Sequence, residues 1–530
     1  MVKDNFFGRE AYLAVLEKRI KGLKFGYRQN IAMIGDELIG KTSIMTDFLH
    51  KFYDNQIIVI YLEIHPESLA IFARRFIGVL LYNFLSHSDI PLKEDLDFLI
   101  EKSSKYIPKA IEKIKSILID LQKRKRNAIF AELLSLCEVI HQETGKYCLV
   151  IFDEFHNLEN MQINNLYREW SKLLILQKNT MYIIISSMKF KVKAILSKQL
   201  SLLFGNFQIV EVEPFDIKTS EGYLEHKLNE TNLNIGLRNF IVHFSGGYPF
   251  YLEVIADALL KIDKPDLADI LESLLFMPSG ILHQRFSNYL KRFLDSSYTQ
   301  DYISILYLIS NGHNKLKDLA HILRKQKKEL ALRINYLLEL DTITRAGDFL
   351  RINDRVFSFW LKFVYQGKLN SFTFDAKNQK SLFRENIEEM IREFLLNAQR
   401  PITERMIELL RLFEDETTQI EGRKLRLTHF KEIKPLEFNS RNFKDGLLGR
   451  SSDSLWIMGF KQDLLTEDDI SEFTKECRKY RHKLQRKIII SLRDIEANAR
   501  LKAMEEKIWT WDLNNLNQIF DLFSKPGIMV

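Results

Sequence analysis

The sequence predicts an α/β protein built on a parallel sheet, and three observations predict it. Short runs rich in Ile and Val alternate with helical patterns over residues 1–215. A glycine-containing loop follows the first of these runs and opens a helix. After Pro214 the strand-like runs stop, helical patterns take over, and a second strand–helix segment appears near the end.

Taken in order, Asn30–Ile34, Ile57–Ile64, Tyr147–Phe152, Met181–Ser186 and Phe207–Val212 read as strands. They are apolar on both faces, as strands covered on both sides require. Lys41–Phe52, Leu69–Leu85 and Ala128–Thr144 read as helices between them, and Ser86–Arg126 as a charged helical insertion. Residues 216–295 read as helical, with a break at Gly246-Gly247-Tyr248-Pro249. Residues 300–352 read as three short helices, including the amphipathic Tyr302–Leu308 and Leu330–Leu340, and a hairpin. Ile343–Thr344 and Leu350–Ile352 flank its turn at Ala346-Gly347-Asp348, which is a winged-helix pattern. From residue 369 a helical stretch leads to strands near Leu455–Phe460, Lys487–Ser491 and Ile508–Trp511. The expected domains are 1–215, 216–295, 296–368 and 369–530.

Composition narrows the class. Hydrophobic residues make up 46% and charged residues 28% of the 530, a globular balance. Lys and Arg exceed Asp and Glu by 77 to 70, a net charge of +7 that permits a nucleic-acid partner without requiring one. Cys137, Cys148 and Cys477 form no C-x-x-C pair, so neither a disulfide framework nor a zinc knuckle is expected. That fits a reducing, cytoplasmic setting. The first ten residues lack an apolar stretch, and runs such as Ile57–Leu62 and Tyr182–Ile185 are too short to cross a bilayer, so no membrane partner is expected.

The chemistry concentrates in the first domain. Gly35-Asp36-Glu37-Leu38-Ile39-Gly40-Lys41-Thr42 matches G-x-x-x-x-G-K-[ST] in full. The glycines let the backbone curl so that successive N–H groups face a phosphate, and the following helix presents its positive end. Lys41 is expected on the β/γ-phosphates, Thr42 on Mg²⁺, and Ser43 beside them. Asp36 and Glu37 are odd in an anion cradle, and their carboxylates must turn away from it. The strand Tyr147–Phe152 runs into Asp153-Glu154. Asp153 is the expected Mg²⁺ ligand and Glu154 the base that orients and deprotonates water. An acidic cap on a strand is common by itself; the loop upstream gives it meaning. The strand Met181–Ser186 ends in Ser186-Ser187, either of which could contact the γ-phosphate or the water. ATP and Mg²⁺ are the expected ligands, with ADP as the other nucleotide partner.

On these residues the chain resembles the archaeal-type ATPases of the STAND branch of AAA-related P-loop proteins. The resemblance rests on Phe7-Gly8-Arg9-Glu10, the phosphate loop, Phe152-Asp153-Glu154, Ser186-Ser187, Gly247-Tyr248-Pro249, and Arg351-Ile352-Asn353-Asp354 through Phe359-Trp360-Leu361. It implies that Ser187 or Ser186 is a sensor residue and that Phe7, Arg9 and Pro249 lie near the nucleotide. It implies that 216–295 is a helical lid, that 296–368 is a winged helix docking on the core, and that 369–530 is a restriction-endonuclease-like domain. Two departures stand out. Asn206 occupies the place of an arginine in Leu203-Phe204-Gly205-Asn206, which points to slow hydrolysis. Gly459 replaces the acid of an acid-x-lysine strand in Gly459-Phe460-Lys461, with Asp453 as a possible remnant, which points to a catalytically silent nuclease domain.

Other features have bland readings beside sharp ones. Lys123-Arg124-Lys125-Arg126 could touch nucleic acid, but such a run is more often a solvated face. Lys325, Lys327 and Lys328 open the recognition helix of a winged helix and could meet DNA phosphates or dock a protein. Phe359, Trp360 and Phe363 sit at core spacing. The 12 histidines show no H-E-x-x-H. The leading expectation is a nucleotide-dependent switch with slow Mg-ATP hydrolysis. The alternatives are a DNA-binding ATPase module and a protein scaffold with a vestigial nucleotide site. An oligomer is compatible with each.

Overall fold

The computed structural model describes 6–86, 91–123, 129–163, 165–200, 207–229, 231, 233–262, 266–294, 298–367, 376–420, 422–440, 442–443, 445–480 and 484–529. The chain divides into two units: Met1–Pro214 with Glu339–Asp341, and Phe215–Leu338 with Thr342–Val530.

The first unit is built on β1 (Asn30–Ile34), β2 (Ile57–Glu63), β3 (Tyr147–Asp153), β4 (Thr180–Ser186) and β5 (Phe207–Glu211). All pair in parallel, in the order β2-β3-β4-β1-β5. Each expected strand is present, with ends shifted by a residue or so. β1, β3 and β4 are almost wholly buried, because helices cover both faces. These include α1 (Glu10–Leu23), α2 (Lys41–Lys51), α3 (Leu69–Leu85), α6 (Ile129–Thr144) and α7 (Leu166–Leu176), while α4 (Leu96–Ser103) and α5 (Pro108–Gln122) supply the insertion. A final helix, α8 (Lys189–Lys198), follows β4. Ser68 caps α3 by accepting from the Ile71 N–H. The core centres on Trp170, which is fully buried among the rings of Phe130, Phe152, Phe155, Tyr182 and Phe207. Burying each such ring contributes about 1.5–3 kcal/mol. In order β1, β3 and β4 deliver the phosphate loop, the two acids and the serine pair to the carboxyl end of the sheet, where open α/β sheets bind ligands.

The second unit begins with helices α9 (Ile217–Lys227) to α13 (Ile281–Leu294). The expected break lies between α10 (Ile235–Ser245) and α11 (Pro249–Leu260). Gly246 and Gly247 are both left-handed there, and a Cβ on Gly247 would meet the Phe215 carbonyl oxygen at 2.1 Å. Helices α14 (Thr299–Ser310), α15 (Leu316–Leu323) and α16 (Lys327–Glu339) precede the hairpin β6 (Ile343–Ala346) and β7 (Phe349–Ile352). Phe359 and Trp360 are buried in α17 (Arg355–Trp360).

The hairpin tip is engaged within this unit. The Asp348 carboxylate accepts from the Thr417 N–H at 2.7 Å and its hydroxyl at 2.9 Å, while the Asp348 N–H donates to the Thr417 carbonyl at 2.9 Å. Thr417 lies on β8 (Glu416–Ile420), paired with β9 (Arg423–Leu427). The last sheet runs β10 (Glu432–Glu437), β11 (Asp445–Arg450), β12 (Leu455–Lys461), β13 (Leu484–Ser491) and β14 (Ile508–Trp511), antiparallel up to β12 and parallel beyond it. The sequence showed only the last three of its strands. β8 to β10 are polar and half-exposed, and Pro435 interrupts β10, an edge strand where a missing N–H is tolerated.

Candidate nucleotide-binding site

The loop between β1 and α2 has the backbone that its sequence requires. A Cβ on Gly35 would lie 2.5 Å from the Val212 carbonyl oxygen, and Gly40 is left-handed with φ +92°. Leu38 also takes a positive φ of 65°, which costs a non-glycine residue energy and is sustained by the contacts around the loop. Arg9 supports the loop from behind: its buried guanidinium donates to the carbonyls of Ile39 at 3.0 Å and Glu213 at 2.8 Å. Thr42 and Ser43 are exposed in the first turn of α2.

Lys41 is 6% exposed, and its ammonium donates to the carbonyls of Gly35 at 2.8 Å and Asp36 at 2.7 Å. Burial pulls its pKa down, and the carboxylates of Glu154, Asp36, Asp153 and Glu37 oppose that pull. The Asp36 carboxylate pairs with Lys189 Nζ at 2.8 Å.

Asp153 ends β3 and is buried. Its Oδ2 accepts from the Thr42 hydroxyl at 3.0 Å and the Tyr61 hydroxyl at 2.8 Å, and its Oδ1 from the Glu154 N–H at 2.8 Å. Burial and the Asp153 charge keep the Tyr61 phenol protonated, hence a donor. Glu154 adopts a left-handed conformation, φ 49° and ψ 42°. Its Oε2 accepts from the Ser187 hydroxyl at 3.3 Å and lies 3.3 Å from His156 Nδ1. Burial pushes the Glu154 carboxyl above its ordinary value, the neighbouring Asp153 adds to this, and Lys41 opposes it. Between the two serines the geometry discriminates. Ser187 reaches the glutamate, whereas buried Ser186 faces His156 Nδ1 at 2.9 Å and caps the Met188 N–H at 3.1 Å.

Thr42, Lys41, Asp153, Glu154 and Ser187 therefore share one site in the first unit. Pro249 belongs to the second unit. Asn206 and Arg124 to Arg126 lie outside the described residues. Tyr61, His156 and Lys189 were missed by the sequence reading. Tyr61 could be found only through the parallel β2–β3 register, whereas His156 and Lys189 each follow an expected site residue by two positions.

Among the described residues no group of three or more His, Cys, Asp or Glu is placed to hold a metal ion. Mg²⁺ needs no such cage: it binds through one or two protein oxygens, with phosphates and water completing the octahedron. The Thr42 hydroxyl and Asp153 carboxylate fit that requirement. Among the described residues no helix is long and apolar enough to cross a membrane. The three cysteines are free and buried.

The strand segment Gly459-Phe460-Lys461 in the second unit has no room for an acid at its first position. A Cβ on Gly459 would lie 2.8 Å from the Phe473 ring and 3.2 Å from Phe443. Lys461 donates instead to Asp469 at 3.0 Å, and Asp469 is 1% exposed. Asp453 is exposed in the turn before β12. It lies two residues before β12 begins, and the strand from Leu455 to Gly459 alone spans about 13 Å, so Asp453 does not stand beside Gly459.

The parallel sheet order and this cradle define a P-loop nucleotide-binding fold. No protein-family model matches the chain, and no curated relative matches it. Solved structures do resemble it. A Walker-type ATPase of Pyrococcus abyssi is 18% identical at a TM-score of 0.48, over 68% of this chain and 97% of its own. The Aeropyrum pernix ORC2 protein, solved with ADPNP and ADP, is 11% identical at 0.39, over 72% and 93%. The Aeropyrum pernix ORC1 protein, solved with DNA, is 12% identical at 0.35, over 67% and 92%.

Proposed function

We propose that the chain binds Mg-ATP in this cradle and works as an AAA-related, STAND-type nucleotide-dependent switch with slow hydrolysis. The observation that carries this reading is the 3.0 Å contact between Thr42 and Asp153, which brings the loop helix and the acidic strand end to one point. Thr42 and Asp153 would hold Mg²⁺, which neutralises phosphate charge when bound. Lys41 exchanges two loop carbonyls for the stronger phosphate acceptors. Glu154, with its raised pKa and the Ser187 hydroxyl fixing its orientation, takes a proton from the attacking water. ATP and ADP then select different conformations of the chain.

Residues 216–295 are read as the lid, 296–368 as a winged helix, and 369–530 as a degenerate nuclease-like domain. A DNA-facing role would fall on the exposed Lys327 and Lys328, since Lys325 is paired with Asp301 at 2.6 Å and the hairpin tip is held by Thr417. The deciding experiment is to denature the purified protein, identify any nucleotide released, and titrate the emptied protein with ATP and ADP in Mg²⁺. A folded protein that carries no nucleotide and takes up neither would overturn the reading and leave the scaffold alternative.

A further inference from the structure

We propose that Lys189 is the counter-charge of the phosphate loop: it neutralises Asp36 so that the cradle can accept a polyphosphate, and it thereby sets the preference for ATP over ADP. This rests on the nucleotide reading and adds to it a residue that determines ligand charge.

An acid as the second residue of an anion-binding loop works against its ligand. Asp36 Oδ1 lies 2.8 Å from Lys189 Nζ, and the two side chains are only 17% and 19% exposed, so water screens the pair little. The Asp36 backbone carbonyl meanwhile accepts from Lys41 at 2.7 Å, which fixes Asp36 beside the ammonium that serves the phosphates. Lys189 is the first residue of α8, two positions after Ser187, which bonds Glu154. One short segment thus carries both the partner of the base and the partner of the loop acid. Other carboxylates surround the lysine. Glu211 lies 4.0 Å from Lys189 but 2.8 Å from Lys193. Asp341, a member of the same unit, accepts from the Phe190 N–H at 3.0 Å, and burial pushes its carboxyl up to about 6. The lysine therefore sits in an acidic surrounding, and removing it leaves Asp36 negative beside the ligand. The repulsion grows with ligand charge, so ATP suffers more than ADP.

The test is calorimetric titration of the full chain with Mg-ATP and Mg-ADP, with folding checked by circular dichroism. Lys189→Ala should weaken ATP by about tenfold and ADP by about threefold, the scale of one added like charge near the surface. Lys189→Arg should keep both affinities within about twofold of wild type, because the charge remains. Asp36→Asn should bind ATP at least as tightly as wild type, and Asp36→Asn with Lys189→Ala should recover most of the loss, which a merely structural lysine would not allow. Unchanged affinity in Lys189→Ala, a double variant as weak as Lys189→Ala, or weakened binding in Asp36→Asn each overturns the proposal and leaves the nucleotide reading standing. Wild-type protein that binds neither nucleotide overturns both.

Discussion

Tyr61 donates to the same Asp153 oxygen that receives the Thr42 hydroxyl, at 2.8 Å and 3.0 Å, so a residue of β2 helps to aim the acid of β3 at the loop helix. An outer partner of a metal ligand typically changes metal affinity about 10–100-fold when removed. Tyr61→Phe should therefore raise the Mg²⁺ concentration needed for ATP-dependent thermal stabilisation by about tenfold. An unchanged Mg²⁺ requirement would detach Tyr61 from the metal site.

Lys41→Ala should weaken Mg-ATP by at least about 10–100-fold, since each hydrogen bond to a charged group is worth about 1.5–3 kcal/mol. The chain should stay folded, because the ammonium now bonds only loop carbonyls. Unaltered affinity in a folded variant would refute the cradle.

Glu154→Gln should lower turnover about 10²–10⁴-fold while ATP still binds. The wild-type rate should fall with acidity at a pH above the ordinary carboxylate range, because the raised pKa protonates the base early. That limb of the pH–rate profile should vanish in Glu154→Gln. Ser187→Ala should show a smaller loss in kcat. Wild-type turnover of tens per second would contradict the slow-hydrolysis reading.

The second unit should cleave no DNA with Mg²⁺ or Mn²⁺, with or without ATP. Lys461→Ala should instead destabilise it by about 3 kcal/mol, because the buried Asp469 carboxylate loses its counter-charge and keeps only its bonds from Thr466. Gly459→Asp should destabilise it too, by driving a side chain into Phe473. Metal-dependent cleavage lost in Lys461→Ala would reveal an acid other than Asp453.

Asp354 offers a pH test of stability. Its carboxylate caps α17 at the Phe357 N–H and accepts from the Tyr251 hydroxyl, yet burial pushes its pKa up to about 6. A raised acid pKa means the native state holds the proton more tightly than the unfolded chain. This group's contribution is therefore most favourable below about pH 4 and is lost as the pH rises through about 6. Thermal midpoints of wild type and Asp354→Asn, compared across that window, should shift in favour of the variant as pH increases. A difference that does not change with pH would place the pKa elsewhere.

The first unit was legible because its signals are local. Buried parallel strands are continuous apolar runs, so Asn30–Ile34 could be bounded to the residue, and the apolar helical pattern of Leu69–Leu85 could be bounded as closely. The phosphate loop is one contiguous motif with strand before it and helix after it. Partnerships between distant segments were not legible. Nothing near Lys189 says that its ammonium reaches Asp36, and nothing near Tyr61 says that the next strand places Asp153 beside it. The half-exposed strands β8 to β10 and the short, glycine-containing β11 failed for another reason. Polar faces in β8 to β10, with Pro435 in β10, and Gly446 and Gly449 in the buried β11 mask the alternation by which strands are found.

The ring cluster around Trp170 has a spectroscopic consequence. Of the five tryptophans, Trp360, Trp456, Trp509 and Trp511 all belong to the second unit, so Trp170 is the sole indole of the first. It is fully buried and packs edge-on against Phe152, the residue before Asp153. Replacing the other four with phenylalanine would leave a chain whose fluorescence comes from one position. Its emission would be blue-shifted while the first unit is folded and would shift red when that unit alone opens. The same indole, one ring away from the strand end that carries the acids, would register ligand-induced tightening of the cradle without any attached dye.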